Sequence, residues 1–419
     1  MEKEKPTVST SKKVFLWNAA GSFTNAMSSV FLLMVVTRVL GPVEGGIFSI
    51  AFALAQQLLT VSTFETPTFF VTDTENKISF NVHLAAKIIL YVLSIVAAAV
   101  IAIVKYEPYK AAVVVLVCAF KGADSLSGLI GGLLQKNEQL HIAGRSLAVR
   151  VAAAFGIFTV SLLLFENLIL SSALSLVFSF GWIALYDGHF ARKITALKPK
   201  WDFMLMLKLL LGCLPMFLGT FMLNYIINQP KFVIDNILDE VSQNRFGIIF
   251  MPSAVISLLG MFIYRPLLTT LTKVWKDRDF GQFLGKIFKI SAIIITLTIL
   301  CTVCAWFLGV PVLSAVYGVD LAGLEANLCL IILGGGMYAI ANLIYNGIVI
   351  MRHQYSMIIA YVLAYGVSLA ITAPLVKSLN LMGASVSYVI STGILATLML
   401  GVFLFYVFRE KKRSLEGNK

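Results

Sequence analysis

Lys121 and Asp124 stand three residues apart inside an apolar run, Ala111–Leu134, and Arg150 stands inside the next, Ile142–Phe165. A charge at the centre of a bilayer costs roughly 2.5–3.5 kcal/mol even on the lenient insertion scale, so such residues face a bundle interior or a water-filled cavity and mark a site. Spacing of i, i+3 puts Lys121 and Asp124 on one helix face, where they can pair. Arg150 lies about two turns into its run and, with Arg145, adds cationic hydrogen-bond donors. The cations of this set can neutralise a phosphate. A purely structural ion pair is the competing account of Lys121, and snorkelling to the headgroups is that of Arg150.

Uncharged polar residues recur in three other runs. The first carries Asn18, Gly21, Ser22, Thr24, Asn25, Ser28 and Ser29; the seventh carries Asn224, Tyr225, Asn228 and Gln229; the tenth carries Tyr338, Asn342, Tyr345 and Asn346 after Gly334-Gly335-Gly336. Such side chains turn from lipid toward partner helices or water. Asn18, Asn25, Asn224, Asn228, Tyr338, Asn342 and Asn346 are therefore expected at a cavity, where amides and phenols can hydrogen-bond sugar hydroxyls. Small-residue packing accounts equally well for the glycines.

The elements that must position these residues follow from composition. Of 419 residues, 59% are hydrophobic and 13% charged, and mean hydropathy is +0.89. Too little polar surface remains to coat a soluble globule, so the chain is an integral, all-α polytopic membrane protein. Twelve runs reach the roughly 20 residues that cross hydrocarbon. They are Val14–Leu40, Gly46–Val71, Phe80–Val104, Ala111–Leu134, Ile142–Phe165 and Leu168–Phe190, then Leu207–Ile227, Phe246–Leu271, Ile287–Leu308, Leu324–Met351, Met357–Val376 and Met382–Phe408. Pro252 and Pro266 predict a kink in the eighth. The polar residues 1–13 do not resemble a cleavable signal peptide.

Between the two sets of six lies the basic connector 191–206, with Arg192, Lys193, Lys198 and Lys200. Cationic loops stay in the cytosol. With the N-terminus inside, 25 of the 33 Lys and Arg fall on the cytoplasmic side, including the basic tail 409–419, and 6 outside. This predicts both termini inside and two six-helix lobes, 14–190 and 207–408. Weak internal matches relate them by a pseudo-two-fold axis along the membrane normal. Gly46-Ile-Phe-Ser-Ile-Ala aligns with Gly247-Ile-Ile-Phe-Met-Pro, and Leu133-Leu-Gln-Lys-Asn-Glu-Gln139 with Val349-Ile-Met-Arg-His-Gln-Tyr355.

Thr37-Arg38-Val-Leu40-Gly41-Pro42, continuing to Gly46-Ile-Phe48-Ser-Ile-Ala51, resembles the start of helix 2 in the polysaccharide-biosynthesis flippases of the multidrug/oligosaccharidyl-lipid/polysaccharide (MOP) exporter superfamily. Ile234-Asp235-Asn-Ile-Leu238 and Leu381-Met-Gly383-Ala384-Ser385-Val386-Ser387 are similar to further family stretches. Glu65-Thr-Pro67-Thr departs from the family's glycine-rich turn. The resemblance implies a MATE-like fold and a flippase that moves undecaprenyl-pyrophosphate-linked oligosaccharide repeat units across a bacterial inner membrane. It implies membrane lipids, a polysaccharide polymerase and a chain-length regulator as partners, and no cofactor. The resemblance then makes Lys121, Arg145 and Arg150 the headgroup residues, with Asp124 as the partner that orients or releases Lys121.

Other classes fit less well. A formal charge of +12 could suggest nucleic acid, but the basic residues are scattered among loops and tails rather than gathered on one soluble face. A multidrug cation antiporter wants a buried carboxylate in the first lobe; helix 1 has none, and the cations inside the spans disfavour cationic cargo. An enzyme needs clustered acid–base residues, whereas His83, His141, His189 and His353 are dispersed. The five cysteines lie within apolar runs and form neither a disulfide framework nor a metal knuckle.

Overall fold

The computed structural model describes residues 8–73 and 77–416, and every extended element in it is a helix. The first eight are α1 (Val8–Leu40), α2 (Pro42–Thr63), α3 (Thr66–Thr72), α4 (Phe80–Lys105), α5 (Pro108–Lys136), α6 (Leu140–Phe165), α7 (Leu168–Trp182) and α8 (Gly188–Arg192). They are followed by α9 (Phe203–Ile237), α10 (Glu240–Tyr264), α11 (Leu268–Lys276), α12 (Phe280–Cys304), α13 (Val310–Tyr317), α14 (Glu325–Ile350) and α15 (Met357–Glu416). Among the described residues, 11 helical stretches are long and apolar enough to cross a membrane. The count differs from twelve because the last two expected runs are continuous in α15. That 60-residue element is interrupted at Asn380, with φ 50° and ψ −129°.

Of the N-terminal stretch expected at 1–13, residues 1–7 lie outside the described residues, and α1 begins at Val8 rather than Val14. The basic tail continues α15 as helix to Glu416. The kink expected from Pro266 is a 3₁₀ turn at Arg265–Leu267, because proline has no N–H for the α-helical ladder. The chain divides into two compact units, Met1–Phe221 and Met222–Lys419, with the division inside α9.

In the first unit a break separates α2 from α3, where Phe64 and Glu65 both adopt left-handed backbone. Lysine closes each helix end there. Lys87, fully buried, donates to the carbonyls of Ser62 (3.0 Å) and Thr63 (2.7 Å). Lys136 donates to those of Phe70 (3.1 Å) and Asp73 (2.5 Å). Carbonyls at a helix C-terminus lack intrahelical partners and carry partial negative charge, so a cation there is favourable. Lys87 lies two turns into α4, within the third apolar run. The break holds Pro67, Thr68 and Thr72 against α5.

In the second unit the triple glycine of α14 is a packing device. A Cβ at Gly334 would meet the Tyr388 ring at 2.6 Å, one at Gly335 the Ser253 backbone at 3.0 Å, and one at Gly336 the Thr298 side chain at 2.4 Å. Three helices thus press on one turn of α14, as small residues permit in membrane bundles. Gly383, the motif glycine after Asn380, is tighter still: a Cβ would lie 1.9 Å from the carbonyl oxygen of Leu375. Backbone cannot yield as a flexible side chain can, so Gly383→Ala should lower the thermal midpoint of the purified protein in detergent, with overpacking worth about 1–3 kcal/mol. Gly366→Ala, where nothing stands within 4 Å, is the control and should leave the midpoint unchanged in the same fluorescence unfolding scan.

Candidate functional site

The site in the first unit is built where α1 crosses α6 at glycine. A Cβ at Gly21 would lie 2.9 Å from the carbonyl of Gly144, and one at Gly144 would lie 2.8 Å from the backbone nitrogen of Asn18. This close approach aims one face of α1 at α6, and Asn18 and Asn25, at i−3 and i+4 from Gly21, share that face. Arg150 follows Gly144 by six residues on α6, and α5 brings Lys121 and Asp124 to the same place.

Asp124 is the hub. One carboxylate oxygen accepts from Lys121 Nζ at 2.6 Å, and the other accepts from Arg150 Nη1 at 2.8 Å. Lys121 Nζ also donates to Asn25 Oδ1 at 2.9 Å. Lys121 and Arg150 are 4% and 1% exposed, so both cations are held out of solvent by a single carboxylate. Within the cluster Lys121, Asp124 and Arg150 there is one more cation than carboxylate. The Nε and Nη2 donors of Arg150 are buried without a hydrogen-bond partner.

Arg150 and Asp124 line a cavity of about 610 Å³, with Asn18, Asn25, Ser127 and Gln135 among its polar walls and Gly128, Gly131 and Gly132 on α5 keeping one side low. No Cβ at Gly128 would meet anything within 4 Å, so it opens on free space. The volume is ordinary for a small-molecule site, which typically measures about 300–1,000 Å³. The wall is mixed: amide, hydroxyl and guanidinium on glycine-rich backbone, with Val71, Leu59 and Leu147 as its apolar part.

Of the residues expected from sequence, Lys121, Asp124, Arg150, Asn18 and Asn25 come together here. Arg145 does not. It is exposed, with its guanidinium carbon 5.8 Å from the Trp17 ring centroid, because its position one residue past Gly144 turns it out of the crossing. The second-unit residues form a separate set. The side-chain amides of Asn228, Asn342 and Asn346 donate to the carbonyls of Asn224 (3.0 Å), Tyr338 (3.2 Å) and Asn342 (2.7 Å), each four residues earlier in the same helix. Asn224 and Tyr338 thus take part through their backbone in these intrahelical bonds.

Sequence reasoning passed over Asp187. It is 2% exposed and ends a π-helical turn, Ile183–Asp187, that joins α7 to α8. Ser127 donates to one carboxylate oxygen at 2.7 Å and Ser146 to the other. Trp182 Nε1 in turn donates to Ser146 Oγ at 3.0 Å. Ser127 is shared with the cavity wall, so a second buried carboxylate stands one hydroxyl behind the site. The signal was available: Asp187 is an acid inside the sixth apolar run.

No protein-family model matches the chain, and no curated protein matches it. Solved structures do. An inward-facing conformation of a multidrug resistance MATE family transporter of the MOP superfamily aligns with TM-score 0.68 over 94% of this chain and 96% of that one, at 10% identity. The chain has the MATE transporter fold. A MATE in the bent conformation aligns at TM-score 0.53 and 13% identity over 97% of each chain. So does a MOP superfamily transporter from Pyrococcus furiosus, described by the words "reverse polarity of binding pocket suggests different function", at TM-score 0.53 and 13% identity over 95% of each. At such identities the likeness is one of fold.

If Asp124 holds two buried cations, its loss must cost more than that of either partner, because breaking a buried pair strands an uncompensated charge at about 3–5 kcal/mol. Asp124→Asn should therefore lower the unfolding midpoint more than Lys121→Met or Arg150→Met does. Adding Lys121→Met to Asp124→Asn should recover part of the loss, a non-additivity read from a double-mutant cycle in detergent.

Proposed function

We propose that this chain is a flippase for an anionic, lipid-anchored cargo, carrying undecaprenyl-pyrophosphate-linked oligosaccharide repeat units from the cytoplasmic to the outer leaflet of a bacterial cytoplasmic membrane by alternating access. The observation that carries the reading is Arg150: a buried guanidinium on a cavity wall, one edge fixed by Asp124 and the remaining donors without acceptors. A phosphate fits that fork, because guanidinium binds oxyanions through paired N–H bonds. Asn18, Asn25 and Gln135 then supply amides for the first sugar, and the apolar exterior accommodates the lipid.

The fold supports a transporter, and the Pyrococcus furiosus relative is a precedent for a binding pocket of reversed polarity on it. Twelve crossings with both termini cytoplasmic, in two six-helix lobes, complete the proposal. At 1.5 Å per residue the 60 residues of α15 extend about 90 Å, far beyond one crossing of a roughly 30 Å hydrocarbon layer, and Asn380 is where the chain turns from the eleventh to the twelfth. A polymerase and a chain-length regulator are the partners of such a flippase, which has no catalytic site of its own.

Asp187 favours a second reading. A buried carboxylate held by two hydroxyls can exchange a proton, as a MATE-type cation antiporter requires. Proteoliposomes containing the full chain and a fluorescent undecaprenyl-pyrophosphate disaccharide separate the two. Flippase activity should expose the probe to an outside quencher, and Arg150→Gln should slow that step about 30-fold or more, since truncating a buried charge contact costs roughly 2 kcal/mol or more. Arg145→Gln should stay close to wild type. Absent flipping, with proton-driven cation efflux that Asp187→Asn abolishes, establishes the antiporter instead.

A further inference from the structure

Lys231 is a buried cation that the site above does not use. By sequence it follows the seventh apolar run, Leu207–Ile227, on the exterior side. In the structure α9 continues through it to Ile237, and Lys231 is 8% exposed. Its ammonium lies 4.4 Å from the centroid of the Phe250 ring on α10. Among the described residues no carboxylate is within salt-bridge distance and no acceptor takes a hydrogen bond from it. Lysine is almost never found fully buried without a partner, and an aromatic face replaces only part of lost hydration.

Other polar groups of α9 and α10 are unsatisfied in the same sense. Gln243 on α10 is 2% exposed, and neither its amide nitrogen nor its carbonyl oxygen has a partner; the Gln229 side-chain oxygen beside Lys231 in sequence also lacks one. Gln243, Phe246 and Phe250 stand at i, i+3 and i+7, so Gln243 shares the face of α10 on which the ammonium lies. Phe250 is fixed from behind by Tyr388, at 4.9 Å between ring centroids, and Tyr388 by a 2.7 Å hydrogen bond to Ser253. The ring is thus a rigid platform for the lysine. Ammonium and amide N–H groups without acceptors are complementary to an oxyanion.

We propose that Lys231, with Gln243, is an anion-binding site of the second unit that takes a carboxylate or phosphate group of the cargo. The proposal rests on the transporter reading for its cargo, but not on Arg150. Two sources offer that chemistry: an acidic sugar of the repeat unit, or the pyrophosphate itself.

The test is binding of sodium glucuronate, inorganic pyrophosphate and glucose to the purified full chain by isothermal titration, paired with unfolding scans. Lys231→Met should weaken binding of an anion at least about tenfold and leave glucose unchanged, and Lys231→Arg should retain binding. Loss of glucuronate binding assigns the site to a sugar acid, and loss of pyrophosphate binding assigns it to the headgroup. Without ligand, Lys231→Met should unfold at the same or a higher temperature, because a buried charge without a partner is removed. A lower midpoint with unchanged anion binding would show a staple between α9 and α10 and overturn the proposal. So would a wild type that binds neither anion. Because each readout uses soluble anions and leaves Arg150 intact, failure here is separable from failure of the flippase assay.

Discussion

Two cations held out of solvent by one carboxylate is the constraint on which the first unit depends. Neither Lys121 nor Arg150 tolerates an apolar bilayer alone, and Asp124 accepts from both. To satisfy that geometry α5 must present Lys121 and Asp124 from one face, α6 must bring Arg150 to Asp124, and α1 must come close enough for Asn25 to reach Lys121. The glycine crossing at Gly21 and Gly144 makes the approach possible. Asn25 completes it by accepting from Lys121, which leaves the guanidinium as the group with hydrogen-bonding capacity unused.

The break between α2 and α3 serves the same end. A continuous helix there would carry Pro67 and Thr68 elsewhere, and the cavity would lose a wall. Lys87 and Lys136 stabilise the interruption by closing the exposed carbonyls. Lys87, Lys136 and Lys121 therefore do different things: the first two close helix ends, and the third joins the ion-pair cluster. A count of basic residues by loop treats them alike.

How much could be read in the sequence follows from the range of each signal. The apolar runs are local and long, so the helices and the membrane character were legible. Lys121 with Asp124 was legible because i, i+3 pairing is set by one helix. Arg150 as the second partner of Asp124 was not, because the two residues lie on different helices, α6 and α5, and their meeting is set by tertiary packing rather than by local spacing. That α9 runs on through Pro230 and Lys231 was not legible, because the apolar run ends at Ile227, although proline is tolerated in a spanning helix when neighbours satisfy its freed groups. Asp187 was overlooked near the end of its run, where a charge resembles an interfacial residue. The join of the last two runs into α15 turns on one residue's backbone at Asn380, which composition does not encode. The triple glycine was open between packing and cavity until Tyr388, Ser253 and Thr298 were seen against it.

The central claim is that the unused donors of Arg150 receive the phosphate of a lipid-linked cargo. The most direct measurement is a structure of the full chain in nanodiscs with undecaprenyl pyrophosphate bound. The account predicts a phosphate oxygen within hydrogen-bond distance of Arg150 Nε or Nη2, with Asp124 still on Nη1. Phosphate density away from this cavity, with Arg150 paired only to Asp124, would contradict it.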